Sequence, residues 1–401
     1  MQPLQEQNGS LWLDTSSMPA FAPLDGDQAA DVCVIGAGIA GLTTAYMLLR
    51  EGKSVVVIDS VGVAAGESGR TTAHMFPPDE RFAMLERMMG ASKTALLADS
   101  YRRATDCVES IVRAEQIDCD FERLDGYLFN PHGKWDAVLE AEYAITSRLG
   151  LDVRRLERVP GLPFDTGPCL RFARQAQFHP LKYLAGLARA ITTLGGRIYG
   201  GTTAVAIEGD ASLQSVRTAH GDINARSVVI ATNAPFDRRF APRDRQLVYQ
   251  SYVIGLRVPK DALPRVLLWD TGTPYYYVRL APAASSSGHE LLVVGGQDHV
   301  SSDAIDPQRR YAEIEAWARA RFPSAGQVEY QWSGRIMEPH DGIAMLGHYP
   351  VDQSNVYIIT GDSGNGMTYC TAGAILVADQ ILGRPNRWTD LYSPARVSFQ
   401  R

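Results

Sequence analysis

Asp31 to Asp59 runs DVCVIGAGIAGLTTAYMLLREGKSVVVID, and its order of apolar runs, glycines and a closing acid predicts strand, turn, helix and strand. Val32 to Ile35 is short and apolar, as a strand buried on both faces of a parallel sheet requires. It leads into three glycines with separate tasks. Gly36 permits the tight turn, Gly38 lets the backbone approach a pyrophosphate, and Gly41 lets the helix lie close on the strand. The helix, expected over Ile39 to Arg50, presents its first amides, those of Ile39 and Ala40, and the positive end of its dipole to phosphate. Gly52 ends it. Val55 to Ile58 then forms a second strand that closes on Asp59, whose carboxylate suits ribose hydroxyls, with Ser60 beside it. Together these features predict dinucleotide binding; a glycine turn that only packs a helix is the alternative.

A chain of 401 residues supports two domains with separate cores. The net charge of -6 offers no basic face to nucleic acid or an anionic membrane, and no apolar run is long enough to span a bilayer. The opening MQPLQEQNGSLWLDTSSM lacks the basic start and apolar core of a secretory signal, so a cytoplasmic location is expected. Cys33, Cys107, Cys119, Cys169 and Cys370 are scattered, without a CxxC pair or Cys/His ligand spacing. They predict buried reduced thiols and no metal, iron–sulfur cluster or disulfide framework.

Residues 1–30 read as a polar surface arm anchored by Leu11, Trp12 and Leu13. The loop Gly66-Glu67-Ser68-Gly69-Arg70-Thr71-Thr72-Ala73-His74 is small and hydroxyl-rich, suited to passing close to a phosphate or ring system. Helices are expected over 80–89, 92–115 and 134–149, with a strand over 124–130. The proline- and glycine-rich 159–167 reads as a crossing between domains. A helix over 181–194 and strands at 197–199, 203–207, 215–218 and 227–231 follow, the last apolar enough to join the first sheet. From Tyr249 to Ser333 the runs YVIGLRV, PRVLLWD, PYYYVRL and ELLVVGGQDH alternate as antiparallel strands facing a cavity. A hairpin tip at 285–288 and a helix at 309–321 punctuate them.

Near the far end, Gly361-Asp362-Ser363-Gly364-Asn365-Gly366-Met367-Thr368 follows the apolar run 356–360 and precedes a helix expected over 371–382. A helix N-terminus here suits the negative charge that develops on a reduced flavin. A plain helix cap is the alternative.

Taken in order, DVCVIGAGIAGLTTAY, GESGRTTAH, FHPLKYLAGLARAITTLGG, SVVIATNAP, WSGRIMEPHDGIAMLG and GDSGNGMT resemble the D-amino-acid oxidase and glycine oxidase-like superfamily of FAD enzymes over residues 10–392. The resemblance is strongest to its amine-oxidising members of the gamma-glutamylputrescine oxidase type. It implies FAD, a Rossmann-like α/β domain built from a discontinuous chain (31–95, 171–246 and 335–392), and an antiparallel β-sheet substrate domain of α+β type (96–170 and 247–334). The arm 1–30 and a tail 393–401 flank them. The family places Gly36, Gly38, Gly41 and Asp59 on the ADP half, and Val205 on the adenine side through its backbone. Ser68, Gly69, Arg70, Thr71 and Thr72 would follow the pyrophosphate and flavin, and Gly364, Asn365, Gly366 and Met367 would face the ring. Ala231, Thr232, Gly334, Gly361 and Thr368 complete the expected cofactor set. His74, Tyr276, Arg335 and Met367 are the expected catalytic residues. Tyr275 to Tyr277 resemble a pocket-lining aromatic strand, with sheet packing as the alternative.

One departure bears on substrate. Amino-acid-oxidising relatives carry an arginine in a GLRP-like stretch that clamps the substrate carboxylate, and Ile336 stands in its place here. Arg335, one position away on a strand, is expected to point to the opposite face. The expected substrate is therefore a primary or secondary amine without an adjacent carboxylate. Its expected oxidation is hydride transfer to flavin N5, giving an imine that water hydrolyses, with no dedicated base. Some relatives attach flavin through a histidine near the position of His74, but the spacing of GRTTAH differs and noncovalent contact is expected. Others continue into a Rieske domain; no CxH...CxxH pattern occurs here, so such an iron–sulfur partner is expected to be absent or removed. Oxygen or an electron carrier is the expected acceptor. The competing readings are an amino-acid or hydroxy-acid enzyme, a flavoprotein electron-transfer subunit, and an NAD-binding protein.

Overall fold

The structure, a computed structural model, describes residues 9–75, 81–234, 245–283, 288–303, 305–350 and 355–399. Residues 285–287 of the expected hairpin tip lie outside them. Two sheets organise the chain. The first has eight strands, with the path Met345–His348, Val356–Thr360, Gly221–Ile230, Gln28–Ile35, Val55–Ile58 and Arg197–Tyr199. Every pairing along this path is parallel except that of its first two strands. In register, Ile35 lies beside Ile230 and Ile58, and Ile230 beside Ile358. The backbone therefore leaves Ile35, Ile230 and Thr360 at one carboxyl edge of the sheet, where open parallel sheets bind ligands.

The apolar runs of this sheet are buried on both faces, as their composition demands. Val32 and Val34 join the core beneath the helices Ile39–Arg50, Pro180–Thr193 and Gly366–Ile381, while Cys33 and Ile35 pack with Ile207, Val216 and Ile223 on the other face. The first strand begins at Gln28, four residues before the expected Val32, because Gln28 to Ala30 pair with Ile223 to Ala225. The helix expected over 371–382 likewise starts earlier, at Gly366, so its N-terminus falls inside the second glycine cluster.

The second sheet has nine strands: Val328–Pro339, Gln246–Pro259, His289–Val300, Tyr276–Pro282, Leu267–Asp270, Glu122–Phe129, Cys169–Gln177 and His74–Met75 in path order, with Val153–Leu156 beside Cys169–Gln177. It is antiparallel apart from Leu267–Asp270, which runs parallel to Glu122–Phe129. Sheet membership departs from the expected boundaries at several points, His74–Met75 of the second sheet among them. Residues 159–167 connect Val153–Leu156 to Cys169–Gln177, which are antiparallel neighbours, so this segment is no crossing between domains. The boundary expected at 171 cuts a strand of the second sheet, as does that at 335. The helix over Phe82–Ala114, broken at Gly90 by a φ of 81°, sends Leu97, Tyr101, Ala104 and Val108 into the core shared with Gly366–Ile381. It covers the first sheet's helical layer, because that is the apolar surface its stripe meets.

The arm is more than a surface strap. Leu11 and Trp12 are buried in the short helix Leu11–Asp14, whereas Leu13 is 47% exposed. No helix among the described residues is long and apolar enough to cross a membrane.

Candidate functional site

A cavity of about 440 Å³ opens at the carboxyl edge of the first sheet and reaches the inner face of the second. Its walls come from the first glycine turn, the loop 65–72, residues 202–204 and 231–233, the strand pair around Ser251 and Gly334 to Ile336, and the second glycine cluster.

The glycine turn is shaped by close approach. A Cβ on Gly36, which has a φ of 111°, would lie 2.4 Å from the Ala231 carbonyl oxygen. A Cβ on Gly41 would lie 1.8 Å from the Gly36 carbonyl oxygen, so glycine is what lets the helix seat against the turn. Gly41 does not line the cavity; its task is packing. Asp59 braces the same turn: Oδ2 accepts the Ala37 N–H at 2.8 Å and Oδ1 accepts those of Val61 and Gly62, each at 2.9 Å. At the helix start, the Ile39 N–H donates to Ser68 Oγ at 3.1 Å, which ties the loop 66–72 to the helix N-terminus.

That loop is fixed from three sides. Ser10 Oγ donates to the Gly69 carbonyl at 2.5 Å and Trp12 Nε1 to the Thr71 carbonyl at 2.6 Å, so the arm clamps the loop from behind. Trp332 Nε1 donates to the Arg70 carbonyl at 2.8 Å, and Glu67 Oε2 accepts the Arg335 N–H at 2.8 Å. The buried Arg279 donates through Nη1 to the carbonyls of Thr72, Ala73 and Phe178 and lies over the Trp12 ring. Burial pulls its guanidinium down to about 9. Carbonyl oxygens replace water around it. No sequence pattern marks Arg279, because its partners are backbone atoms gathered by the fold.

Most of the predicted cofactor residues meet in this cavity: Gly36, Gly38, Ile39, Ala40, Asp59, Ser60, Ser68, Arg70, Thr71, Thr72, Ala231, Thr232, Gly334, Gly364, Gly366 and Met367 all line it. Gly69, Gly361, Asn365 and Thr368 do not; they shape the loops that carry the lining residues. Val205 falls just outside the lining. It is 64% exposed and its N–H donates to the Arg217 carbonyl, while Thr202, Thr203 and Ala204 line the wall instead.

Two expected catalytic residues stand elsewhere. Tyr276 faces the second core, its ring stacked on Trp317 at 4.5 Å and its hydroxyl accepting from Gln297 Nε2 at 2.6 Å. Strand alternation gives the cavity to Tyr277, whose hydroxyl lies 3.2 Å from Ser251 Oγ. His74 lies behind the wall rather than on it: Nδ1 is 3.0 Å from Thr72 Oγ1, and its ring meets Tyr277 edge-on at 5.6 Å. Burial and the nearby Arg279 charge pull His74 down to about 3, so the imidazole is neutral. Arg335 occupies a rim. Paired with Gln250, it shares the outer face of the sheet with Gln250 and Tyr252, where a second cavity of about 420 Å³ begins, and it touches both cavities. Ile336 and Gly334 hold the inner wall with Ser251 and Val253.

The sequence reading passed over Asp362 as a role-bearing residue. It lines the cavity beside Gly364 and Gly366, and burial pushes its carboxyl up to about 7. A carboxylate four residues before a glycine at a helix start was the available signal. Cys370 also lines the cavity, and burial pushes its thiol far up, so it is not a thiolate. The glycine backbone, the helix start at Ile39 and the helix start at Gly366 form an elongated cradle. It fits a dinucleotide laid from one glycine cluster to the other, with N–H donors for a diphosphate at the first and an electropositive helix end for a reducible ring at the second.

Comparison with known proteins agrees with this geometry. The profile of FAD dependent oxidoreductases, DAO, matches residues 31–380. The chain is 27% identical over 394 residues to the putative Rieske 2Fe-2S iron-sulfur protein YhfW of Bacillus subtilis, covering 98% of this chain and 76% of that one. It is 26% identical over 385 residues to gamma-glutamylputrescine oxidoreductase of Escherichia coli, covering 92% and 87% respectively. The crystal structure of glycine oxidase from Geobacillus kaustophilus superposes with a TM-score of 0.74 at 19% identity, covering 92% of this chain and 99% of that one. The chain belongs to the DAO family of FAD-dependent oxidoreductases.

Proposed function

We propose that this FAD enzyme oxidises a C–N bond in a primary or secondary amine that carries no carboxylate on the reacting carbon. The observation that carries the reading is Ile336 on the inner wall, where amino-acid-oxidising relatives carry an arginine, with Arg335 held at the rim shared with the outer cavity. Without a cation at that point, a carboxylate beside the reacting carbon would be buried unpaired, at a cost of several kcal/mol. FAD, when bound, supplies the acceptor for the hydride that leaves the carbon next to nitrogen, and oxygen or an electron carrier then removes the electrons. The chain's own residues do the rest. Val253, Ile336 and the Tyr277 ring form an apolar wall that disfavours the ammonium form of an amine and orients its carbon. The helix beginning at Gly366 aims its positive end into the same space. The gamma-glutamylputrescine oxidoreductase likeness supports the amine class.

The test is anaerobic mixing of the FAD-loaded protein with a panel of primary and secondary amines, D- and L-amino acids, glycine and hydroxy acids, following loss of flavin absorbance. Amines are expected to bleach it. The rim position of Arg335 favours one second reading, amino-acid oxidation with this arginine reaching inward. Turnover of a simple amino acid that is lost in Arg335→Ala would establish that reading and overturn the first.

A further inference from the structure

We propose that Asp362 receives the ammonium group of the incoming substrate and takes its proton, so that oxidation acts on the neutral amine. The inference rests on the amine-oxidation reading. It starts from the inner wall, where Ile336 stands in the place of the relatives' arginine and Asp362 lines the same cavity. Gly364 brings the second glycine cluster against that wall: a Cβ there would lie 3.7 Å from Ile336 Cδ1. The Ser363 N–H donates to the Met337 carbonyl at 3.1 Å, which holds Asp362 beside the strand. The local charge is thus inverted relative to a carboxylate clamp.

Asp362 is built to take one more donor. Its Oδ2 is turned to the start of the helix Gly366–Ile381, 2.9 Å from where a Gly366 Cβ would sit, so a side chain at 366 would displace it. Its Oδ1 is shielded from solvent and accepts no hydrogen bond among the described residues. A shielded carboxylate oxygen without a donor is costly, and an ammonium group supplies the donor and the opposite charge together. The groups facing Asp362 come from three other elements. Glu67 of the loop and Glu338 of the second sheet raise its proton affinity, and it faces the Cys370 thiol on the helix Gly366–Ile381. Glu338 accepts from Ser363 Oγ at 2.8 Å and lies 3.7 Å from Arg81 Nη1. The backbone N–H groups of Met337 and Gly364 pull the other way, and the balance leaves the carboxyl near 7. Such a carboxyl is able to gain and release a proton within one turnover. In the step, the Asp362 carboxyl turns Oδ1 toward the cavity that the residue lines, one N–H bond of the ammonium breaks, the proton passes to that oxygen, and the nitrogen keeps its electron pair. The carboxylic acid returns the proton to water after product leaves.

The test uses the FAD-loaded protein and tert-butylamine, which has no hydrogen on the carbon beside nitrogen and so binds without being oxidised. Pivalate, its anionic counterpart of like shape, is the control, and binding is read from the perturbed flavin absorbance. The wild type is expected to bind tert-butylamine with an affinity that falls below about pH 7 as Asp362 becomes protonated, and to bind pivalate poorly. Asp362→Asn, with full flavin content as the sign of an intact fold, is expected to weaken tert-butylamine about tenfold or more and to abolish that pH dependence. Unchanged affinity and pH dependence in Asp362→Asn would overturn the proposal, as would a wild type that prefers pivalate. Failure of every amine to bleach the flavin would instead overturn the oxidation reading, while tert-butylamine binding would still report on Asp362.

Discussion

Asp59 Oδ2 accepts the Ala37 N–H at 2.8 Å, joining the end of the second strand to the turn at the end of the first. The carboxylate also accepts from Val61 and Gly62, so it organises the turn before any ribose arrives. Asp59→Ala removes acceptors for three N–H groups. Its FAD dissociation constant, measured by fluorescence on reconstituting apoprotein, is expected to rise by about tenfold to a hundredfold, given ~1.5–3 kcal/mol for a charged hydrogen bond.

Gly41→Ala places a methyl 1.8 Å from the Gly36 carbonyl oxygen, so the helix must shift away from the turn. Overpacking of this kind costs about 1–3 kcal/mol or more. Denaturant unfolding is expected to show that loss together with weaker FAD retention. Gly62→Ala, with nothing within 4 Å of the added carbon, is the matched control and is expected to be near neutral.

Trp12 ties the arm to the site through the Thr71 carbonyl and packs edge-on against His179 at 4.9 Å. Replacing it with alanine opens a cavity and is expected to destabilise by about 3–5 kcal/mol. Limited proteolysis should then cut the loop 66–73 faster than in the wild type, because the clamp behind it is gone.

Tyr277→Phe and Tyr276→Phe separate the two faces of one strand. The first removes the hydroxyl beside Ser251 in the cavity and is expected to alter kcat or KM for whichever amine bleaches the flavin. The second leaves Gln297 short of an acceptor in the other core, costing about 1 kcal/mol of stability, with kinetics unchanged.

His74 and His179 are both buried and held neutral, with burial pulling them from 6.5 to about 3 and about 4. Their folded values lie below their unfolded ones, so the unfolded chain binds the extra protons. The stability they contribute is complete above about 6.5 and is lost as pH falls toward 4 and 3. Thermal melting followed from pH 7 to pH 4 should fall more steeply in the wild type than in His74→Gln, relative to each protein's value at pH 7.

The strand, turn and helix from Gly36 to Asp59 were legible because local sequence dictates them: apolar runs of strand length, glycines where backbone touches backbone, and a closing acid. The partnership of the two glycine clusters was legible from the same logic repeated. Which tyrosine faces the cavity was not. In PYYYVRL both faces of the strand are packed against other elements, so alternation exists but its phase is set by Trp317 and Ser251, which lie elsewhere in the chain. Nor was the local setting of Val205, whose N–H is claimed by Arg217 across a small antiparallel ladder. The arm's clamp and Arg279 left no local signature, because both act on carbonyl oxygens that any residue would provide. Asp362 was readable as a residue type, but its meaning depends on the fold bringing Gly364 of the same loop against Ile336.

The first sheet draws adjacent strands from residues 28–35, 221–230 and 356–360. During biosynthesis the strand that begins the cradle soon gains Val55–Ile58 on one side, but leaves the ribosome long before Gly221–Ile230, its neighbour on the other, exists. Hundreds of residues later, Val356–Thr360 and the helix after it close the far end. Pairings separated this widely in sequence form late and slowly. The nascent protein therefore passes through most of its synthesis with an apolar strand edge waiting for company, and FAD capture marks the completion of folding rather than its start.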